Sequence, residues 1–233
     1  MTVWVCLHYF GGSALSWAPL TEALGDPCVT PDLRGFGSEP AAGAMRVADH
    51  ADDIAAVLPP DFVLVGHSMG GKVAMALAAR HPPGLRGLVL AAPSPPGPEP
   101  MMDGARAKLR AAWGDPDAAA EVARGISRHR DGPMFERIVA DHLRASRAGW
   151  DAWLDVGSRE DLRALAGQVD VPVLVVAGAD DAALGPAVQA QQTLPFFPGA
   201  RLQTVAGSRH LVPLDLPSEL ARIMSAWAER LPG

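Results

Sequence analysis

One short segment of this sequence combines a serine with the small neighbours that a nucleophile requires. Residues 66–70 read Gly-His-Ser-Met-Gly, a G-x-S-x-G pattern, and they stand between an apolar run at 62–65 and an apolar helical pattern. A tight turn from strand to helix exposes its central serine and places it at a helix N-terminus, where amide groups can bind a developing oxyanion. This context predicts Ser68 to be a nucleophile, and the alternative is a serine that only caps the helix.

A serine nucleophile needs a base and a group that orients the base. His210 follows the last apolar run of the chain, and Asp180 and Asp181 follow the run before it. The carboxyl ends of parallel strands meet at one edge of a sheet, so these side chains are expected to lie near Ser68. His210 would accept the serine proton, and one of the two aspartates would fix its tautomer.

The elements that position these residues are short apolar runs separated by helical patterns. The runs cover residues 3–7, 28–30, 62–65, 88–91, 171–177 and 202–205. Runs that are apolar throughout are typical of strands in a parallel sheet that is covered on both faces. Their alternation with helices predicts an α/β fold with a doubly wound sheet.

One segment breaks this alternation. A proline-rich stretch at 93–100 precedes residues 101–165, which hold 11 of the 20 basic and 11 of the 26 acidic residues and no convincing strand. We expect a core domain from 1–94 and 166–233 and a helical cap from 95–165. Five large side chains of this segment are candidates to contact substrate, although packing between cap helices is the alternative: Met101, Met102, Trp113, Trp150 and Trp153. His142 also lies here, away from any strand end, and is not a catalytic candidate.

Composition excludes several classes of function. The 233 residues carry a formal charge of −6, which argues against a nucleic-acid partner, and no apolar run approaches the length of a membrane span. Cys6 and Cys28 are interpreted as reduced thiols, because two cysteines are too few for a disulfide scaffold or a structural zinc site. The first residues lack the charged region of a signal peptide, so a cytoplasmic location is expected.

Several motifs together resemble those of the α/β-hydrolase superfamily. Residues 8–13 resemble its H-G-x-x-G oxyanion loop, residues 31–38 its D-x-R-G-x-G-x-S turn, and residues 66–71 its nucleophile elbow. Residues 178–181 resemble its G-x-x-D acid loop, and residues 210–219 resemble its histidine loop and final helix. The order of these motifs along the chain is also that of the family.

This resemblance implies a mainly parallel sheet of about six strands and favours Asp181 over Asp180 as the acid. It also implies that the amides of Phe10 and Met69 form the oxyanion hole, and it implies neither a metal nor an organic cofactor. Tyr9 stands where the family usually has glycine. Its side chain is expected to pack or to contact substrate, and Lys72 is expected to point to solvent.

The resulting hypothesis is a serine hydrolase that cleaves small, largely apolar carboxylic esters through a Ser68-His210-Asp181 triad. A lactonase, thioesterase or C–C bond hydrolase would use the same triad on another substrate. A cofactor-free perhydrolase or hydroxynitrile lyase is a second alternative. The third is a triad-bearing ligand receptor with slow turnover. Under the serine hydrolase hypothesis, the binding partner is a small-molecule ester or a related acyl compound.

Overall fold

The computed structural model describes residues 2–232 and contains one six-stranded sheet. All adjacent strands pair in parallel, in the order β2-β1-β3-β4-β5-β6. The strands are β1 (Trp4–Leu7), β2 (Cys28–Val29), β3 (Phe62–His67), β4 (Leu85–Ala91), β5 (Val173–Gly178) and β6 (Arg201–Val205). The predicted fold class is therefore confirmed, including the number of strands.

Helices connect the strands. They are α1 (Ala18–Leu24), α2 (Val47–Ala55), α3 (Met69–Ala78), α4 (Asp103–Ala112), α5 (Pro116–Ile126), α6 (Gly132–Arg144), α7 (Arg147–Asp155), α8 (Arg163–Ala166), α9 (Pro186–Gln192), α10 (Val212–Asp215) and α11 (Pro217–Ala228). Helices α4 to α8 lie between β4 and β5, where the sequence predicts a helical segment. Within the described part of the chain, no strand interrupts them.

The core lies on both faces of the sheet because successive strand residues point in opposite directions. In β1, Val5 and Leu7 pack with α2 and α3 on one face. Trp4 and Cys6 pack with α1 and α11 on the other. Apolar side chains are therefore needed at every position of the central strands. This explains why the strands appear in the sequence as unbroken apolar runs.

Strand β4 begins at Leu85, three residues before the apolar run that predicts it. Arg86 and Gly87 interrupt the hydrophobic pattern, and the register with β3 shifts between Phe62 and Val63. Edge strand β6 is largely exposed apart from Val205, because it has a neighbour on one side only. Among residues 2–232, no helix has the length and apolar character to cross a membrane.

Candidate active site

Ser68 lies at the turn between β3 and α3. Its backbone has φ 53° and ψ −115°, a strained conformation for a residue with a side chain. The turn is held by hydrogen bonds from the Ser68 amide to the carbonyl of Ala91 at 3.1 Å and from the Ser94 amide to the carbonyl of Ser68 at 3.0 Å. These contacts stabilise a backbone that presents the serine at the carboxyl end of the sheet.

The glycines of the turn are required because other backbone atoms approach closely. A Cβ atom on Gly66 would lie 2.6 Å from Cα of Gly71, and one on Gly70 would lie 2.6 Å from the carbonyl oxygen of His8. The Gly70 amide donates a hydrogen bond to that same oxygen at 3.1 Å. The absence of side chains thus brings the serine turn directly against the loop that follows β1.

His210 and Asp181 meet at the same edge of the sheet. The Nδ1 atom of His210 lies 2.8 Å from Oδ2 of Asp181, and both side chains are largely buried. Oδ1 of Asp181 accepts hydrogen bonds from the amides of Ala183 and Leu184 at 2.9 and 3.1 Å. Asp180 is exposed. The structure therefore pairs His210 with Asp181 and leaves Asp180 in solvent.

The electrostatics of this pair favour an ionised aspartate. Burial raises the pKa of Asp181, but the charge of His210 and the hydrogen bonds to its carboxylate more than compensate, and the pKa falls to about 2. Burial lowers the pKa of His210, but the charge and hydrogen bond of Asp181 outweigh it, and this pKa rises. A carboxylate bonded to Nδ1 leaves Nε2 of His210 to handle a proton.

Ser68 and His210 line one cavity, which has a volume of about 350 Å³. Within residues 2–232 the Ser68 hydroxyl makes no hydrogen bond to a protein atom, including His210. In enzymes without substrate the contact between nucleophile and base is often long, and it shortens when substrate binds. The structure thus places the Ser68 hydroxyl and the His210 ring, which Asp181 holds, beside one cavity.

Two backbone amides beside Ser68 are free to bind an anion. Neither the Phe10 nor the Met69 amide donates to an acceptor within the described chain. His8 holds the first of these in place, since its Nδ1 donates to the carbonyl of Tyr9 at 2.8 Å and its Nε2 accepts from the amide of Leu33 at 2.9 Å. The two amides that the resemblance selects therefore lie on the two segments that meet at Ser68.

The turn after β2 supports the oxyanion loop. Oδ1 of Asp32 accepts a hydrogen bond from the Ala14 amide at 2.6 Å, and Oδ2 accepts from the amide and hydroxyl of Ser38 at 2.8 Å. Burial raises the pKa of Asp32, but these hydrogen bonds outweigh it and lower the pKa overall. The Asp32 carboxylate thus stabilises the loop that follows β1, and its side chain does not line the cavity.

The cavity is mostly apolar, and the segment 95–165 supplies a large part of its wall. Four of the six predicted substrate-contacting side chains belong to this wall: Tyr9, Met101, Met102 and Trp153. Trp113 and Trp150 lie outside it. Their indole nitrogens donate to the carbonyls of Ala145 and Leu109 at 2.8 and 2.9 Å, so these side chains join helices of the segment 95–165 to one another.

Two further polar side chains reach the cavity without having been predicted: Glu99 and His142. A signal for His142 does exist, because it continues the apolar stripe formed by Phe135 and Ile138 on α6. Burial raises the pKa of Glu99. Glu99 lies within the proline-rich stretch 93–100, and no sequence pattern there predicts that its side chain reaches the cavity wall.

The prediction that Lys72 points to solvent is wrong. Its side chain is fully buried, and Nζ donates a hydrogen bond to the carbonyl of Gly97 at 2.9 Å. Burial lowers its pKa to about 8. Helix α3 is buried along its whole length, so the Lys72 side chain does not reach solvent. It instead binds the backbone at Gly97, near the start of the segment 95–165.

Comparison with known proteins identifies similar sequences and folds. Residues 4–223 match the model of the Alpha/beta hydrolase family. The "Pimeloyl-[acyl-carrier protein] methyl ester esterase" of Aromatoleum aromaticum is 33% identical over 237 residues, which cover 93% of this chain and 94% of that protein.

Two solved structures extend the similarity to the whole fold. A thermophilic esterase from Thermogutta terrifontis has a TM-score of 0.79 and 24% identity, over 99% of this chain and 90% of that one. The enol-lactonase of Burkholderia xenovorans LB400 has a TM-score of 0.85 and 22% identity, over 99% and 92%. At these identities the two structures establish the shared fold.

Proposed function

Because the chain belongs to the alpha/beta hydrolase family, we propose that it is a serine carboxylesterase that cleaves small, largely apolar esters. The observation that carries the proposal is the 2.8 Å contact between His210 and Asp181 in the cavity that Ser68 also lines. A buried acid that orients a histidine beside a strained serine matches the roles of a catalytic triad.

In the proposed mechanism Ser68 attacks the ester carbonyl while Nε2 of His210 accepts the hydroxyl proton. The carbonyl oxygen becomes an oxyanion, and the amides of Phe10 and Met69 donate hydrogen bonds to it. Each such donor contributes on the order of 3 kcal/mol to the stability of the tetrahedral intermediate. Asp181 stabilises the imidazolium that forms in this step.

The intermediate then expels the alcohol, which takes its proton from His210, and an acyl-enzyme on Ser68 remains. A water molecule gives its proton to His210 and attacks the acyl carbon. Collapse of the second tetrahedral intermediate releases the carboxylic acid and restores the serine hydroxyl as His210 returns the proton. Every proton transfer in this cycle passes through one imidazole nitrogen.

The cap segment 95–165 is proposed to select the substrate. Its residues Met101, Met102, Leu109 and Trp153 form much of the apolar wall, whereas the proposed catalytic groups all lie on the core domain. A wall of this kind favours acyl or alkyl groups without charge. The cytoplasmic location stays a prediction from the sequence.

The proposal is tested by the hydrolysis of nitrophenyl butyrate and by labelling with a nitrophenyl alkylphosphonate. We expect a burst of nitrophenol and a phosphonate adduct on Ser68 in the native chain, and neither in Ser68→Ala. Ser94→Ala is the matched control, because Ser94 is also buried and adjoins the same turn. Full turnover by Ser68→Ala would overturn the proposal. A panel of methyl esters, including the pimeloyl-carrier ester named for the relative, then defines the acyl group.

A further inference from the structure

His142 places one unpaired hydrogen-bonding atom in a cavity that is otherwise mostly apolar. Its side chain lies on α6, is only 3% exposed and lines the same cavity as Ser68. The ring packs against Tyr9 and Trp150, with centroid distances of 6.1 and 5.8 Å. These contacts fix the orientation of the imidazole, so its free edge has a defined direction.

The hydrogen bonds of His142 determine which ring nitrogen carries the proton. Nδ1 lies 2.9 Å from the carbonyl oxygen of Ile138, and because a carbonyl can only accept, Nδ1 is the donor. Burial lowers the pKa of His142, so the ring is neutral near pH 7. Nε2 is then an acceptor only, and within residues 2–232 no donor reaches it.

Nε2 of His142 lies beside the oxyanion loop. A Cβ atom built on Gly11 would be 2.9 Å from this nitrogen, which places it against the residue that follows Phe10. Phe10 supplies one of the two amides proposed to bind the ester oxygen. The acceptor therefore lies against the loop whose Phe10 amide is proposed to bind the ester oxygen, on the part of the cavity wall that α6 supplies.

A buried acceptor without a partner lowers affinity for an apolar group and raises affinity for a donor. A site that hydrogen-bonds a substrate hydroxyl or N–H strongly rejects analogues that lack this donor. An apolar pocket discriminates much less against an analogue that carries an additional hydroxyl. We propose that His142 is a specificity-determining residue that accepts a hydrogen bond from substrate. The preferred substrates are esters that carry a hydroxyl or amide N–H near the scissile carbonyl.

This inference rests on the proposed esterase function for its kinetic consequences. Glu99 also lines the cavity and is a second acceptor there. Because a carboxylate also accepts hydrogen bonds from a substrate donor, its contribution has to be measured separately from that of Nε2 of His142. The variant Glu99→Leu, which has no hydrogen-bond acceptor, separates the two contributions in the same assay.

The kinetic test compares isosteric pairs of methyl esters. Methyl β-hydroxybutyrate is paired with methyl isovalerate, and N-acetylglycine methyl ester with methyl levulinate. For at least one pair, we expect His142→Phe to lower the ratio of kcat/KM, donor over analogue, by about tenfold. Met134→Leu alters the same helix outside the cavity wall and is expected to leave both ratios unchanged.

A second measurement uses binding and does not depend on hydrolysis. In Ser68→Ala labelled with ¹⁵N-histidine, the His142 resonances are expected to show a proton on Nδ1 and none on Nε2. Titration with methyl β-hydroxybutyrate or N-acetylglycine methyl ester should shift the Nε2 resonance, whereas the analogues should not. This readout remains informative if His142→Phe folds poorly.

The outcomes of the two tests separate the two proposals. Equal ratios in the native chain and His142→Phe, with no selective shift of Nε2, would overturn the role of His142 while the esterase function stands. A selective shift in a chain that hydrolyses none of the esters would support the acceptor and overturn the esterase function. A proton found on Nε2 instead of Nδ1 would also overturn the role of His142.

Discussion

The ring of His67 donates a hydrogen bond from Nε2 to the backbone carbonyl of His210, with a distance of 2.9 Å between the two atoms. The two imidazole rings lie 5.3 Å apart. Burial, and then the nearby charge of His210, lower the pKa of His67 to about 3, so the ring is a neutral donor at ordinary pH. The residue before Ser68 therefore holds the backbone of His210, the proposed base.

Replacing His67 with Phe is expected to misplace His210 without altering the cavity wall. The carbonyl of His210 would lose its donor in a buried environment, which costs about 1–3 kcal/mol. We expect kcat for nitrophenyl butyrate to fall about tenfold while KM changes little. His50→Phe is the control, because His50 is a buried histidine on α2 that does not line the cavity. Equal losses in the two variants would show that His67 has only a packing role.

The pairing of His210 with Asp181 predicts a large difference between two neighbouring aspartates. Asp181→Asn keeps the shape of the side chain but removes the charge that fixes the proton on Nδ1 of His210, and kcat is expected to fall by about 10³–10⁴. Asp180→Asn is expected to retain activity, because Asp180 is exposed. Steady-state kinetics of both variants on one ester shows which aspartate supports catalysis. A comparable loss of kcat in Asp180→Asn would contradict the assignment of Asp181 as the acid.

The pH dependence of activity follows from the raised pKa of His210. A general base must be neutral, so kcat/KM is expected to rise with pH through this pKa and to be lost as pH falls below it. The negative charge of Glu99 is one of the groups that raise the pKa of His210, after Asp181.

Glu99→Gln is therefore expected to shift the acid limb of the profile to lower pH. The control is Glu121→Gln, which alters an exposed carboxylate on α5. The measurement is kcat/KM for a neutral ester across the acid limb. An unchanged limb in Glu99→Gln would show that Glu99 does not act on His210.

Sequence reasoning succeeds where backbone topology alone determines position. Ser68, Asp181 and His210 each follow a predicted strand, and the carboxyl ends of parallel strands must share one edge of the sheet. The small residues around Ser68 predict the close approach of two loops, which the contacts of Gly66 and Gly70 explain. These inferences need only the order of the elements.

Sequence reasoning fails where the direction of a side chain depends on how a helix docks. Trp113 and Trp150 share the size and polarity of Trp153, yet only Trp153 lines the cavity. Lys72 shows the same limit in the core: its charge suggests a solvated position, whereas the packing of α3 leaves it none. Periodicity identifies the inward stripe of a helix but not the surface on which that stripe will rest.

Asp215 predicts a link between cap stability and the loop that carries His210. Oδ1 accepts hydrogen bonds from the Ser127 hydroxyl at 2.7 Å and the Arg128 amide at 3.0 Å, at the end of α5. Oδ2 accepts from the Arg209 amide at 2.8 Å and the Ser208 hydroxyl at 3.3 Å. One buried carboxylate therefore joins the end of α5 to the residues that precede His210.

Asp215→Ala is expected to lower the free energy of unfolding by about 3 kcal/mol, because four donors lose a charged acceptor. Asp215→Asn keeps one oxygen and should lose less. Urea denaturation measures both, with Asp180→Ala as the exposed control. A loss below about 0.5 kcal/mol in Asp215→Ala would contradict this role.

Lys72 predicts a variant that is more stable than the native chain near pH 7. Its pKa of about 8, against an ordinary value of 10.5, corresponds to a penalty of about 3 kcal/mol for the buried charge. Removing the lysine also removes its hydrogen bond to Gly97, which costs about 1 kcal/mol of stability. Lys72→Met, which is similar in size and apolar, should therefore raise the free energy of unfolding by about 2 kcal/mol.

The sign of this effect fixes its pH dependence. Below about pH 8 the lysine is charged in both the folded and the unfolded chain, so the full cost of burying the charge destabilises the fold. Between pH 8 and 10.5 the folded chain loses this proton while the unfolded chain keeps it, and the destabilisation decreases to zero. The gain in Lys72→Met should follow the same course when urea denaturation is repeated across this range. Lys108→Met, at the exposed second lysine of the chain, is expected to show no such gain. A loss of stability in Lys72→Met at pH 7 would mean that the anchor to Gly97 outweighs the cost of the buried charge.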